Sequence, residues 1–492
     1  MRPLPGKPDC CWTVVAPETS YPPLQGKHAV DIAVIGGGIV GLTAALQIAK
    51  AGRSVAVVEA LRVGRQVTGR STAKITTQHR LIYDHLIRTV GREKAQLYAD
   101  ANRKGAEFIE SCINEFAIPC DFERRSAITW IEADKEGLAD IEAEAEAALS
   151  LGLPADVLDR APLPFATGGG LRFTDQAQFN PALYCIGLAA AVVRSGRQVF
   201  ERSRVIAVER EDLWRIRTEA GEIRAESVFL ATNLPVAGEV DFSHYVQARC
   251  HTAAAFRIAA ERAPDGMFLS VGHPSHSIRV GRDDDGLLLI VLGPHFITGQ
   301  EGNVARRFLE LEDWTRERFK VGDMVWRWTN EDYDTADRIP YVGAPSAKEP
   351  GLYIATGFNA WGITNGTAAG LLVADQVLGR ENPSAALYDP TRPLPKSFHK
   401  GGKTQSKAAD VSSIRLGEGG VVQIGDETFA VHKTMSGIVN ALSASCTHQG
   451  CTVTWNNADK TWDCPCHGSI FSADGSVLHG PAVEPLPSRK LP

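Results

Sequence analysis

Residues 29–35 are apolar except for one aspartate and run into three glycines, Gly36-Gly37-Gly38. A short apolar run closed by a turn signal predicts a strand buried on both faces. Small and apolar residues from Ile39 to Lys50 predict a packed helix, and 54–58 is a second apolar run that ends at Glu59. Strand, helix and strand in close succession predict a parallel βαβ unit. Residues 80–150 read as helical: 93–116 repeats its apolar positions near the helical period, and 135–149, rich in Ala and Glu, predicts an exposed helix. Strands are predicted at 127–131 and 171–173, and Asn180-Pro181 opens a helix to Arg194, with proline at a tolerated first-turn position. Further strands fall at 199–200 and 203–210, and 212–220 with 222–230 reads as a hairpin about Gly221.

From 248 to 292 the pattern becomes β-rich, with strands at 252–258, 267–271, 277–281 and 287–291. A helix over 303–319 interrupts before a strand at 323–328; 352–356 is a buried strand, followed by a helix to Leu378. Residues 382–405, with four prolines and several lysines, read as a solvated linker. Beyond about Asp410, glycines at 417, 419, 420 and 425 separate short strands, predicting a small all-β unit. There is no internal repeat and no low-complexity tract.

Composition narrows this little. A chain of 492 residues predicts two to four domains, and 44% hydrophobic with 22% charged residues is ordinary for a soluble globular protein. A net charge of −6 gives no argument for nucleic acid or an anionic membrane. Residues 1–21 lack the apolar core of a signal peptide. The longest apolar run, 183–193, is well short of the ~20 residues of a membrane span. A cytoplasmic protein without a membrane span is expected. Ten cysteines are few for a disulfide scaffold, and Cys10, Cys11, Cys112, Cys120, Cys185 and Cys250 read as buried thiols.

The candidate chemistry changes the picture. Gly36-Gly37-Gly38-Ile39-Val40-Gly41 stands between a strand and a helix, with Glu59 ending the next strand: a dinucleotide fingerprint in its proper context. Gly36 permits the tight turn, Gly38 lets the backbone approach a pyrophosphate, and Gly41 lets helix pack on strand. Amides at the helix start, Ile39 and Val40, face the anion, and Glu59 can accept from ribose hydroxyls. The fingerprint alone does not separate FAD from NAD. Near the other end, Cys446-Thr447-His448-Gln449-Gly450-Cys451 and Cys464-Pro465-Cys466-His467-Gly468-Ser469 form paired boxes. Cys446 and Cys464 on one iron, with His448 and His467 on the other, make the ligand set of a Rieske [2Fe–2S] centre. Structural zinc takes the same residue types. Against zinc stand the second cysteine of each box, Ser469, whose hydroxyl can donate to a cluster sulfur, and Gly480-Pro481-Ala482, which can cover the cluster.

These boxes resemble the Rieske proteins of respiratory cytochrome bc complexes. The resemblance implies a Cys451–Cys466 disulfide, unusual in a reducing compartment but shielded by the cluster loops. Those proteins carry a Tyr where this chain has Phe471, which implies a lower potential here. The Gly/Ser/Thr loop 64–75 resembles the flavin-side loop of the D-amino-acid oxidase and glycine oxidase family. That likeness implies FAD neighbours at Arg70, Ser71, Thr72, Ala73 and Lys74, a backbone contact to adenine at Val205, and flavin contacts at Ala231, Thr232 and Asn233. It also places Gly357, Trp361, Gly362, Ile363 and Thr364 at the flavin, where a helix start would stabilise the reduced ring. Trp328, Asp334, Asp337, Arg338 and 339–343 resemble the segment returning from the substrate sheet. The likeness covers about 30–380 and is vague in the middle.

The implied fold is an α/β Rossmann-type FAD-binding domain with an inserted α+β substrate domain, followed by a small all-β Rieske domain. Expected boundaries are a lead-in over 1–28, the oxidoreductase over 29–395, a linker over 396–409 and the Rieske domain over 410–492. Within the oxidoreductase, 29–90, 181–240 and 335–380 would bind FAD, and 91–180 with 241–334 would form the substrate domain. No second fingerprint follows a strand; 168–170 and 419–420 lack the context, so electrons are expected from an organic substrate rather than NAD(P)H. The family implies dehydrogenation of an amine or amino acid, with hydride passing to flavin N5. A Rieske centre would then carry single electrons to or from a protein or quinone, with His448 or His467 at its exposed edge. Two other readings stay open: an O₂-using oxidase with a structural or sensing Rieske domain, and an electron-transfer protein fed by a partner. A Rieske oxygenase is not expected, because no two-His-one-carboxylate set stands on a helix. Lys74, His79 and Trp361 are the candidate catalytic side chains. Each has a plainer reading: Lys74 paired with an anion, His79 packed at a helix start, Trp361 in the core.

Overall fold

The computed structural model describes residues 2–133, 136–393 and 410–491. Its first sheet is centred on Gly26–Ile35, which pairs in parallel with Val55–Val58 on one side and Gly221–Leu230 on the other. Gln198–Phe200 extends one edge. Trp214–Arg217 and Ala207–Arg210 extend the other, antiparallel, and Leu352–Thr356 joins Gly221–Leu230 in parallel. The helices Ile39–Lys50, Pro181–Arg194 and Thr364–Val377 pack together against it. Their apolar residues join Ile32, Val34, Val55 and Val57 in one core, as the run of apolar positions requires of a sheet covered by helices. Asn180 caps its helix by accepting from the amides of Ala182 and Leu183 at 3.1 and 3.2 Å.

A second, nine-stranded sheet is built on Val246–Arg257 and Met324–Thr335, which pair antiparallel over most of their length. Both run further than expected. The expected strand ended at 328, ahead of the polar Asn330-Glu331-Asp332 and Asp334. Glu331 and Asp332 are in fact buried, at 4% and 8% exposure, and Asp332 accepts from the amides of Tyr333 and Ala360, so polarity there does not mean solvent. Conversely, 203–206 is not strand; only Ala207–Arg210 is. The hairpin turn closes from Gly221 N to Thr218 Oγ1 at 3.0 Å. Gly168-Gly169-Gly170 sits within the strand Thr167–Phe173.

The segment before residue 29, expected as a lead-in, packs onto the rest of the oxidoreductase part. Lys7 bridges Trp326, the helix Cys11–Val15 buries Cys11 and Trp12, and the Trp12 indole donates to Ser71 O at 2.9 Å. All six scattered cysteines are buried. Residues 396–409, read as linker, and Lys135, read as a helix start, lie outside the described residues. Beyond them a small all-β domain holds two sheets, one of Glu418–Ile424, Glu427–Lys433 and Val439–Ser443, the other of Thr454–Asn456, Thr461–Asp463, Ile470–Ser472 and Val477–His479. Among the described residues no helix is long and apolar enough to cross a membrane.

The helix expected to be exposed, here Leu138–Ser150, buries Ile141, Glu144, Ala145, Ala147 and Ala148. Glu144 has a specific task. The helix Tyr83–Val90 has no side-chain cap of its own, and the Glu144 carboxylate accepts from the amides of Ile82, Tyr83 and Asp84 at 2.8, 3.0 and 2.9 Å. Replacing it strands three buried donors at a helix start. Glu144→Ala is expected to cost about 2–4 kcal/mol of stability, read as a fall in unfolding midpoint, with Glu144→Gln losing less because its carbonyl still accepts.

Candidate functional site

A cavity opens at the end of Gly26–Ile35 and runs toward the second sheet. Its first wall is the glycine turn. A Cβ on Gly41 would lie 2.2 Å from Gly36 O, so only glycine lets the helix start so close to the strand. Glu59 lines the cavity while accepting from Gly37 N at 2.7 Å and Leu61 N at 2.8 Å. Burial raises its proton affinity, and those two amides oppose the shift. Gly36, Gly38, Ile39 and Val40 also line the space, as do Val205, Ala231, Thr232 and Asn233. Gly41 does not, and acts by packing.

The flavin-side loop follows. Arg70, Ser71, Thr72, Ala73 and Lys74 face the cavity, opposite Trp361, Gly362 and Ile363; Gly357 and Thr364 stand behind. Ala73, Asn233 and Ala360 line it with left-handed backbone, φ 54°, 68° and 65°. Such strain outside glycine concentrates where a ligand is held. The cavity thus combines a pyrophosphate turn, a ribose-side carboxylate and a long slot toward an aromatic wall, and these residues fit FAD.

The catalytic candidates separate. Lys74 lines the cavity and bonds Ser277 Oγ; burial, then Arg279 and Arg80, push its ammonium down to about 7. Trp361 lines the cavity too, with His79 stacked behind it, ring centroids 4.6 Å apart at 20°. His79 itself is not a cavity residue. Its Nδ1 lies 2.7 Å from Tyr98 Oη, and its Nε2 3.0 Å from both Thr76 O and Thr364 Oγ1. Burial pushes it down to about 3, so it is a neutral support for the tryptophan. The sequence offered no sign of Arg204, His251, Asn330, Glu331 or Asp332, which also line the cavity. They meet only through tertiary pairing. Near them, Arg249 pairs with Asp334 at 2.7 Å and contacts His295, and Arg80 reaches Ser275 at 3.4 Å.

In the small domain the two boxes face each other. Cys451 and Cys466 form a disulfide with Cα atoms 6.4 Å apart. Cys446 and Cys464 are left as buried free thiols. Contact with Cys464, then the amides of His448 and Gln449 and the Ser469 hydroxyl, outweigh burial and hold Cys446 down to about 7. Ser469 Oγ in turn accepts from Ala482 N at 3.0 Å, which fixes the proline loop over the boxes. His448 and His467 have ring centroids 5.1 Å apart, and the buried His448 Nδ1 has no hydrogen-bond partner among the described residues. Two thiols, two imidazoles and a serine beside a sulfur fit a Rieske cluster.

Of the histidine edge expected to be exposed, the His467 side is covered and His448 is half-buried. His467 is 5% exposed. Tyr333 donates to its carbonyl at 2.9 Å, and the His244 ring stands 5.9 Å away. Beside His448, Gln449 donates to Asp241 at 2.7 Å. The close approach needs glycine at 468, where a Cβ would lie 2.7 Å from Glu331 Oε1. Phe471 is fully buried and paired with Trp462. Phe471→Tyr is expected to raise the cluster's midpoint potential by roughly 50 mV, about one hydrogen bond to a ligand sulfur, measured by EPR-monitored redox titration.

Comparison with known proteins agrees with these two sites. The family model "FAD dependent oxidoreductase" (DAO) matches residues 31–376, and "Rieske [2Fe-2S] domain" matches 404–490. The chain is 30% identical to the "Putative Rieske 2Fe-2S iron-sulfur protein YhfW" of Bacillus subtilis (strain 168), over 97% of each chain. It is 24% identical to the gamma-glutamylputrescine oxidoreductase of Escherichia coli (strain K12), over 77% of this chain and 90% of that one. Its fold is like that of glycine oxidase from Geobacillus kaustophilus, with a TM-score of 0.62 and 19% identity over 75% of this chain and all (100%) of the other. The chain belongs to the FAD-dependent oxidoreductase family of D-amino-acid oxidase type, and carries a Rieske [2Fe–2S] domain after its FAD-binding part.

Proposed function

We propose that this oxidoreductase dehydrogenates the C–N bond of an amine or amino acid and delivers the electrons one at a time, through the Rieske domain, to a protein or quinone acceptor. One observation carries the reading: Leu478, His479, Gly480, Ala482 and Val483, next to the cluster boxes, line the same cavity as the glycine turn and Trp361. A relative named gamma-glutamylputrescine oxidoreductase and a fold shared with glycine oxidase support the substrate class. FAD supplies a two-electron acceptor and the cluster a one-electron one. Each turnover therefore needs two passages through the Rieske domain.

The chain's own residues set the stage. Asp332 accepts from Tyr333 N at 2.8 Å and Ala360 N at 2.7 Å, and so ties the wall beside Trp361 to the strand that holds His467. Arg80 and Arg249 place positive charge at the substrate-domain side, beside Lys74, answered there by Asp334; burial pushes His251 down to about 4, so it is neutral. Such a wall favours a substrate that carries a carboxylate. Lys74, with its proton affinity lowered by burial, can take the proton that a substrate ammonium must lose before hydride transfer.

The test is anaerobic. Holo-protein is mixed with a panel of amines and amino acids while flavin absorbance and the reduced Rieske EPR signal are followed together. Flavin bleaching followed by the EPR signal is expected; bleached flavin beside a cluster that stays oxidised would overturn the relay. For the best substrate, the bleaching rate is expected to rise as pH passes up through about 7, where Lys74 becomes neutral. Lys74→Met should remove that limb and leave the FAD spectrum in place.

A further inference from the structure

The cavity that fits FAD is not enclosed by the oxidoreductase part alone. The segment 478–483 of the Rieske domain forms one of its walls. Arg204, next to the residue expected at the adenine, donates to Val477 O at 2.8 Å. His479 is one of the lining residues of that wall. It is 3.4 Å from Glu331 Oε1 without hydrogen-bonding to it, and its Nε2 has no hydrogen-bond partner among the described residues. Arg204 and Arg70 line the same cavity; burial, then these two arginines, lower the proton affinity of His479. Two arginines and an unsatisfied imidazole lining a dinucleotide slot are surroundings that suit a pyrophosphate.

The wall is held by polar pairs away from the cavity. Thr454 Oγ1 donates to Gly299 O at 2.8 Å. Asn457 accepts from Ala305 N and donates to Asn303 Oδ1, both at 2.9 Å. Gly299 approaches so closely that a Cβ would meet Pro465 N at 2.6 Å.

We propose that FAD is held by a two-domain site: the Rieske segment 478–483 closes over the bound dinucleotide, and His479 contributes a polar contact to its phosphate region. On this view the Rieske domain retains the flavin as well as serving it, and FAD leaves only when the two domains part. The proposal needs no substrate turnover, so it stands or falls independently of the electron relay.

The experiment follows free-FAD fluorescence after dilution of the full-length holo-protein, with the cluster EPR signal recorded on the same samples. His479→Ala is expected to release FAD about tenfold faster than the unaltered chain, equivalent to ~1.4 kcal/mol. His479→Gln, which keeps a side-chain donor, should fall back toward the unaltered rate. Gly299→Asn tolerates the left-handed backbone, φ 69°, but wedges the interface without touching the cavity, and should also release FAD faster. Unchanged release in both His479→Ala and Gly299→Asn, with the EPR signal intact, would overturn the proposal. Should Gly299→Asn fail to fold, an unchanged rate in His479→Ala overturns it alone.

Discussion

Buried polar groups from three parts of the molecule find partners along one strand, Met324–Thr335. Its Thr329 carbonyl accepts from Arg70 of the flavin-side loop at 3.1 Å, and Asn330 donates to Val67 O at 3.2 Å. Asp332 holds the backbone beside Trp361, and Tyr333 holds the carbonyl of His467. Thr329 bonds Asp459 of the Rieske domain, and Arg327 reaches Ala458 O at 3.3 Å. An apolar strand could have packed against any apolar neighbour. One with polar groups inside favours the register in which these bonds form together, so flavin wall, substrate sheet and cluster boxes share a single reference.

Much of this protein is legible one residue after another. The glycine turn is a local device, since its residues are adjacent and their spacing is their geometry. The cluster boxes are two such devices, each readable alone, and their serine and proline neighbours are close in the chain. The strand 330–335 was hidden for the opposite reason. Asp332 and Asp334 are answered by residues from other elements, Ala360 and Arg249, and local polarity could not distinguish the strand from a solvated loop. Glu144 was misread for the same cause: an acidic position on an Ala-rich helix reads as solvent-facing until the helix it caps is known.

Turning the histidine edge inward has a similar logic. The short-range pattern identifies His448 and His467 but says nothing about which surface faces them. Here that surface is Tyr333, His244 and Asp241. An external partner therefore meets a cluster already enclosed on the His467 side, with the half-buried His448 beside Gln449 and Gly450, which remain exposed.

The N-terminal segment sets an order of assembly. Lys7 bridges Trp326, and Cys10, Cys11 and Trp12 pack in a cluster with Ala253, Leu288 and Trp328. A ribosome adds roughly 5–20 residues per second. The first residues of the chain therefore wait on the order of 15–60 s for the strand that shelters them. Through that interval an indole and two thiols stand without the pocket that later buries them, open to contact with other chains.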